Sequence, residues 1–207
     1  NSGVIDIVST HGAFAALKND GSVVTWGLTR DGGDSSAVSD QLSSGVNKIY
    51  STNYSFAALK NDGSVVTWGF DTKAGQIDYL WGPWNSNGEN GNSNVLESGV
   101  SKVCTMSDGY FAAIKTDGSV VVWGWGAPGV WLETEDPDVI RFIDISDQLS
   151  SGVVNIFSTH TAAAALKSDG SVVTWGEKIY GGDSSSVISQ ISSDVISIST
   201  TGYAFAA

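Results

Sequence analysis

The twelve residues ALKNDGSVVTWG occur twice without change, at 16–27 and 58–69, and return as AIKTDGSVVVWG at 113–124 and ALKSDGSVVTWG at 165–176. A chain that repeats itself at this length is built from copies of one supersecondary unit, each burying its apolar faces against the next. This phrase holds no obvious catalytic group, so its recurrence is read as architecture. The Asp-Gly pairs at Asp20-Gly21, Asp62-Gly63, Asp117-Gly118 and Asp169-Gly170 are 42, 55 and 52 residues apart.

Each copy opens with a β-branched run, such as GVIDIVST (3–10), GVNKIYST (45–52) or GVVNIFST (152–159), whose Val and Ile content favours a strand. A second apolar run follows, AFAALK or SFAALK. The Asp-Gly pair then signals a tight hairpin in which both residues are expected at positive φ, and SVVTWG returns as the third strand. In AFAAL, Phe14 and Ala16 share one face and Ala15 and Leu17 the other, so neither face is patterned for water. Strands buried on both faces fit sheets stacked between like neighbours, and alanines let those sheets approach closely. The expected fold is all-β, a β-propeller of units 3–44, 45–98, 99–151 and 152–193 with a partial fifth at 194–207. Trp26, Trp68, Trp123 and Trp175, each before a glycine, are expected to cover the seams between blades.

The order of apolar strand, small-residue strand, Asp-Gly hairpin and Val-Val-Thr-Trp-Gly, with Gly-Gly-Asp-Ser-Ser at 32–36 and again from Gly181, resembles the regulator of chromosome condensation (RCC1-like) repeat over essentially the whole chain. That resemblance implies a β-propeller, commonly of about seven blades of roughly fifty residues. The wording STxxAFAALKxDGSVVTWG looks like bacterial forms that occur as long arrays in secreted or surface proteins. The eukaryotic namesake binds chromatin and catalyses nucleotide exchange on a small GTPase. Its histidine and its Gly-Gln-Leu-Gly glycines are not at matching places here, so neither activity is carried over. The fifth unit, DVISISTTGYAFAA, stops before its hairpin, so the sequence reading expects a chain that continues past Ala207, with self-assembly through that open edge as the alternative.

Charge narrows the function classes. With 22 acidic against 10 basic residues the net charge is -12, and no lysine or arginine cluster appears, which argues against nucleic acid and against an anionic membrane surface. No apolar run is long enough to span a bilayer. The single cysteine, Cys104, cannot form an internal disulfide and reads as a small buried hydrophobe.

Where copies share a scaffold, function is sought where they differ. The segment after Trp-Gly is 17 residues long in the first and fourth units (28–44 and 177–193), but 29 in the second (70–98) and 27 in the third (125–151). These two inserts carry Tyr79, Trp81 and Trp84, and Trp125 and Trp131, beside Glu133 and Asp136. Aromatic rings rimmed by polar groups are the composition of a recognition surface, and those seven residues are the candidate binding site. The competing reading packs the aromatics as a mini-core or rim cover. The run Glu133, Glu135, Asp136 and Asp138 could offer oxygen ligands to Ca2+, but its spacing is not that of an EF-hand, so no cofactor or metal is expected. His11 and His160 fall at equivalent places in non-adjacent units, which fits repeat drift better than a metal pair. Neither stands in a Ser/His/Asp arrangement, and no catalytic residue is assigned.

The sequence therefore points to a non-enzymatic interaction module, extracellular or on a cell surface, that binds a protein or a glycan through the inserts. Two alternatives stay open: a structural repeat of a surface layer or virion particle, and a polysaccharide-active enzyme with Glu133 and Asp78 as its acids.

Overall fold

The computed structural model describes residues 3–70, 96–106, 109–123, 145 and 147–207 in full, and the backbone of 72–73, 76–77, 80–81, 124, 130–133 and 140–143. Four antiparallel sheets follow one another along the chain. The first is β1 (Val4–Ser9), β2 (Ala13–Lys18) and β3 (Val23–Gly27), and the second is β4 (Val46–Ser51), β5 (Ser55–Lys60) and β6 (Val65–Gly69). The segment after β6 contributes the small hairpin β7 (Thr72–Lys73) and β8 (Gln76–Ile77), and then β9 (Leu80–Trp81). The third sheet is β10 (Val100–Thr105), β11 (Tyr110–Lys115) and β12 (Val120–Gly124). After a further hairpin, β13 (Val130–Glu133) and β14 (Ile140–Ile143), come β15 (Val153–Ser158), β16 (Ala162–Lys167) and β17 (Val172–Glu177). A two-stranded start of a fifth sheet, β18 (Ser199–Thr200) and β19 (Phe205–Ala206), closes the order.

The repetition extends to the register. In each full sheet the first two strands carry the same bulge, between Val4 and Asp6, Val46 and Lys48, Val100 and Lys102, and Val153 and Asn155. The hairpin differs from the sequence expectation in one respect. Gly21, Gly63, Gly118 and Gly170 take φ of 76–79°, whereas the preceding aspartates do not leave negative φ. Gly21 N–H donates to Lys18 O at 2.9 Å, so Asn19 and Asp20 form the turn and the glycine is the left-handed residue after it. This three-residue loop frees the aspartate carboxylate to accept from the Ser22 backbone N–H (3.0 Å) and hydroxyl (2.6 Å).

Sheets stack face on face. The back of the first, Ala13, Ala15 and Leu17 with Val38 and Leu42, packs against Ile49, Phe56, Ala58, Val66 and Trp68 on the front of the second. Equivalent residues form the next two seams, around Phe111 and Trp123 and around Ala163 and Trp175. Gly32 lies against the Phe56 ring so closely that an added Cβ would fall 2.6 Å from it, and Trp68 Nε1–H donates to Gly32 O at 3.1 Å. The seam is also tied by backbone. The hairpin carbonyls of Gly21, Gly63 and Gly118 accept from Val46, Val100 and Val153, each the start of the next sheet, and that of Gly170 accepts from Val195, four residues before β18.

Seam burial depends on having a neighbour on that side. Trp68, Trp123 and Trp175 are 3%, 2% and 0% exposed, but Trp26 is 45% exposed, as are Phe14 and Val24 to a similar degree. The expectation of two buried faces thus holds for the second to fourth sheets and not for the first, whose front face has nothing packed on it among the described residues. Recurring Gly-Gly-Asp-Ser folds the segment after the third strand back over its own sheet: Thr25 Oγ1 bonds Gly33 O (3.2 Å) and Ser35 Oγ (2.9 Å), and Thr174 repeats both contacts with Gly182 and Ser184.

The two inserts do not hang free of the sheets. β9 adds antiparallel to β12, with Trp81 opposite Val122, and β13 adds parallel to β17, with Val130 opposite Gly176 and Trp131 opposite Glu177. Each longer unit therefore lends a strand to the sheet of the unit after it.

Candidate binding rim

In the first, second, fourth and fifth units the loop after the first strand is shaped by a threonine, where the third unit has Met106. Thr10 Oγ1 accepts from Ala13 N–H (3.0 Å) and donates to Asp31 O (2.9 Å), and Thr159 does the same with Ala162 (3.2 Å) and Tyr180 (3.0 Å). Thr52 and Thr201 accept from Ser55 (3.2 Å) and Ala204 (3.1 Å). These loops join across seams: His11 N–H donates to Asn53 O at 2.8 Å, and His160 N–H to Gly202 O at 3.0 Å. The segments leaving the third strands lie on the same rim, since Leu28, Phe70 and Glu177 donate to the carbonyls of Gly12, Tyr54 and Thr161.

This geometry gathers rings. His160, Tyr180 and Tyr203 stand 6.3, 6.4 and 5.6 Å apart with planes within 25° of one another, and Tyr203 is 68% exposed. Between the first two units, Tyr54 sits 6.4 Å from His11 and 6.0 Å from Phe70, both tilted. Leu28 and Ile179 add exposed apolar surface. The two histidines thus serve separate seams, each beside the tyrosine of the following unit. Among the described residues no cluster of His, Cys, Asp and Glu could hold a metal ion.

The opposite rim carries the hairpins, each with its repeated lysine and aspartate. Hydrogen bonds from Ser22 hold the Asp20 carboxyl at about 2, and those from Ser64, Ser119 and Ser171 lower Asp62, Asp117 and Asp169 in the same way. Lys60 and Lys167 Nζ reach the carbonyls of Gln41 (2.8 Å) and Gln148 (3.0 Å), so the repeated lysines are used within the fold. Cys104 is half-buried against the seam between the third and fourth sheets, and burial pushes its thiol up.

Of the seven residues singled out in the inserts, Trp81, Trp131 and Glu133 have their backbones in β9 and β13. Tyr79, Trp84, Trp125 and Asp136 lie outside the described residues, as does Asp78. The rim rings His11, Tyr54, Phe70, His160, Tyr180 and Tyr203 were not singled out as a site from sequence. The available signal for His11, Tyr54, His160 and Tyr203 was a recurring loop of Ser-Thr or Thr-Thr followed by two residues, one of them an aromatic or a histidine, at 9–12, 51–54, 158–161 and 200–203.

Successive antiparallel sheets, stacked face to face and tied to one another at the hairpin rim, make this an all-β chain arranged as blades of a β-propeller. No known family profile matches the sequence. No curated protein matches it either. Among solved structures, the chain is similar to human WBSCR16 (19% identity, 84% of this chain and 47% of that one, TM-score 0.49). It is also similar to yeast RCC1 (Prp20) in its complex with Kap60 (19%, 84% and 42%, 0.48) and to the CRINKLY WD40 ectodomain of the Arabidopsis thaliana receptor kinase ACR4 (14%, 88% and 53%, 0.47). The chain spans about half the length of these proteins. Among the described residues no helix is long and apolar enough to cross a membrane.

Proposed function

We propose that the chain is a non-enzymatic, protein-binding propeller module whose contact surface is the aromatic rim together with the inserts 70–98 and 125–151. The observation that carries this reading is that the rings of His160, Tyr180 and Tyr203, and of His11, Tyr54 and Phe70, share the rim from which the segments after the third strands depart. Large rigid rings contribute contact area at small entropic cost, and the net charge of -12 favours a neutral or basic partner surface. Recognition of a glycan by the same rings, and an extracellular or cell-surface setting in a bacterial array, belong to this proposal as its finer form.

The test is selection of a displayed random-peptide library and, in parallel, of a glycan array, using the 207-residue chain. Tyr180→Ala with Tyr203→Ala, and separately Trp81→Ala with Trp131→Ala, are expected to lower capture at least tenfold while circular dichroism stays unchanged. Enrichment indifferent to both double variants would sink the proposal, and glycan-only capture would move it to carbohydrate. A second reading, assembly between copies, is favoured by the exposed Phe14, Val24 and Trp26 face. It predicts an oligomer in light scattering that Trp26→Ala dissolves.

A further inference from the structure

The rim trio at the seam between the first and second units is built differently from the one at the fourth. In both, a histidine of one unit meets the tyrosine of the next, His11 with Tyr54 and His160 with Tyr203. The third member differs. In the fourth unit Tyr180 completes a stack whose planes lie within 25° of one another, so the rings cover each other's faces. In the first unit Asp31 holds the place of Tyr180, since the carbonyl of each accepts from the loop threonine. The Asp31 carboxylate lies under the loop, where a Cβ on Gly12 would fall 2.5 Å from Oδ2, and Arg30 Nε bonds it from the water side at 3.1 Å. The third ring is then Phe70, and Tyr54 meets His11 and Phe70 at 56° and 59°, angles at which the rings do not cover one another. All three are exposed. Their backbones are fixed to one another: His11 N–H donates to Asn53 O (2.8 Å), Phe70 N–H to Tyr54 O (3.0 Å) and Ser55 Oγ to Phe70 O (2.7 Å).

We infer that this trio is a seat for an ammonium group, the head of a lysine side chain on the partner protein. An aromatic face attracts a cation held within about 6 Å of its centroid, and rings already fixed in place lose little freedom on receiving one. The chain uses the same contact internally, where Lys48 Nζ lies 5.0 Å from the centroid of the Tyr50 ring. The net charge of -12 draws a basic surface toward the molecule, and the neighbouring Asp31–Arg30 pair, neutral as a whole, does not repel it. The stacked trio of the fourth unit has its faces turned on one another and serves as the comparison within the same chain. The seat depends on the rim being a contact surface, as proposed above, and gives one part of that rim its ligand.

The probe is the peptide acetyl-Gly-Gly-Lys-Gly-Gly-amide, titrated into the 207-residue chain while the aromatic side chains are followed by NMR. Saturable shifts are expected at Tyr54 and Phe70 and not at Tyr203. The same peptide with norleucine for lysine keeps the carbon chain and drops the charge, and is expected to bind about fivefold more weakly. The lysine peptide is expected to weaken similarly against Tyr54→Ala with Phe70→Ala, whereas Tyr54→Phe, which keeps the ring face, binds as the unaltered chain does. Equal binding of the norleucine peptide, saturation at Tyr203 instead, or shifts indifferent to the double variant would overturn the inference. No saturable shift, in a chain that still captures library peptides through Tyr180 and Tyr203, would overturn it and leave the contact rim standing.

Discussion

Replacing the seam tryptophans one at a time separates seam packing from intrinsic strand preference, because the same residue occupies the same strand place in four different surroundings. Trp68 is 3% exposed, stacks on Phe56 at 5.1 Å and donates its indole proton to Gly32 O. Trp68→Ala removes a fully packed ring and leaves a cavity between two sheets, a change that costs about 3–5 kcal/mol. Trp26 has the same Phe partner, stacked at 5.3 Å, but nothing packed on its outer side among the described residues, and is 45% exposed. Trp26→Ala then costs roughly 1–2 kcal/mol by the area it removes from water. The gap of about 2 kcal/mol is a factor of about thirty in the folded-to-unfolded ratio. Trp68→Phe against Trp175→Phe isolates the indole bond, since Trp175 Nε1 has no hydrogen-bond partner among the described residues. The first is expected to cost about 1 kcal/mol more, because it strips Gly32 O of its donor. Urea midpoints give the totals, and amide exchange in β5 and β6 localises the loss, a safeguard because stacked repeats need not unfold as one unit. Equal costs for Trp26→Ala and Trp68→Ala would refute the view that the neighbouring sheet, and not the strand, secures the ring.

The hairpin carboxylate of Asp20 is expected to titrate at about 2 in a carbon-detected NMR titration, and Ser22→Ala to move it upward. Since its folded value is depressed, its contribution is full above the ordinary carboxylate range and is lost as pH falls from about 4 towards 2; a titration at the usual value would show the Ser22 bonds absent in solution. The burial that raises the Cys104 thiol predicts alkylation at pH 8 many times slower than for a free cysteine, with rates rising to match only in urea. Labelling in buffer at the free-thiol rate would place Cys104 outside the seam.

Much of the fold was legible because the sequence states it four times. Asp-Gly before Ser-Val-Val marks a hairpin by chemistry that is local to a few residues, and an apolar run with no wet face implies sheets on either side. The detail of the turn was not legible, because whether Asp or only Gly crosses to positive φ depends on loop length and on the serine two residues on. The site was legible only as a difference in length between units. That the inserts lend β9 and β13 to the following sheets is a long-range pairing, which no local pattern encodes.

The sequence by itself determined the unit: its three strands, its hairpin, its repeat, and the excess of acidic over basic residues. Tertiary structure decided which copies of that unit are covered. Trp26 and Trp68 stand in identical twelve-residue phrases, yet one ring is half in water and the other is sealed, because burial belongs to the neighbour and not to the strand. The same rule decides the rim: His160, Tyr180 and Tyr203 come from three segments joined only when one loop crosses the seam to the next.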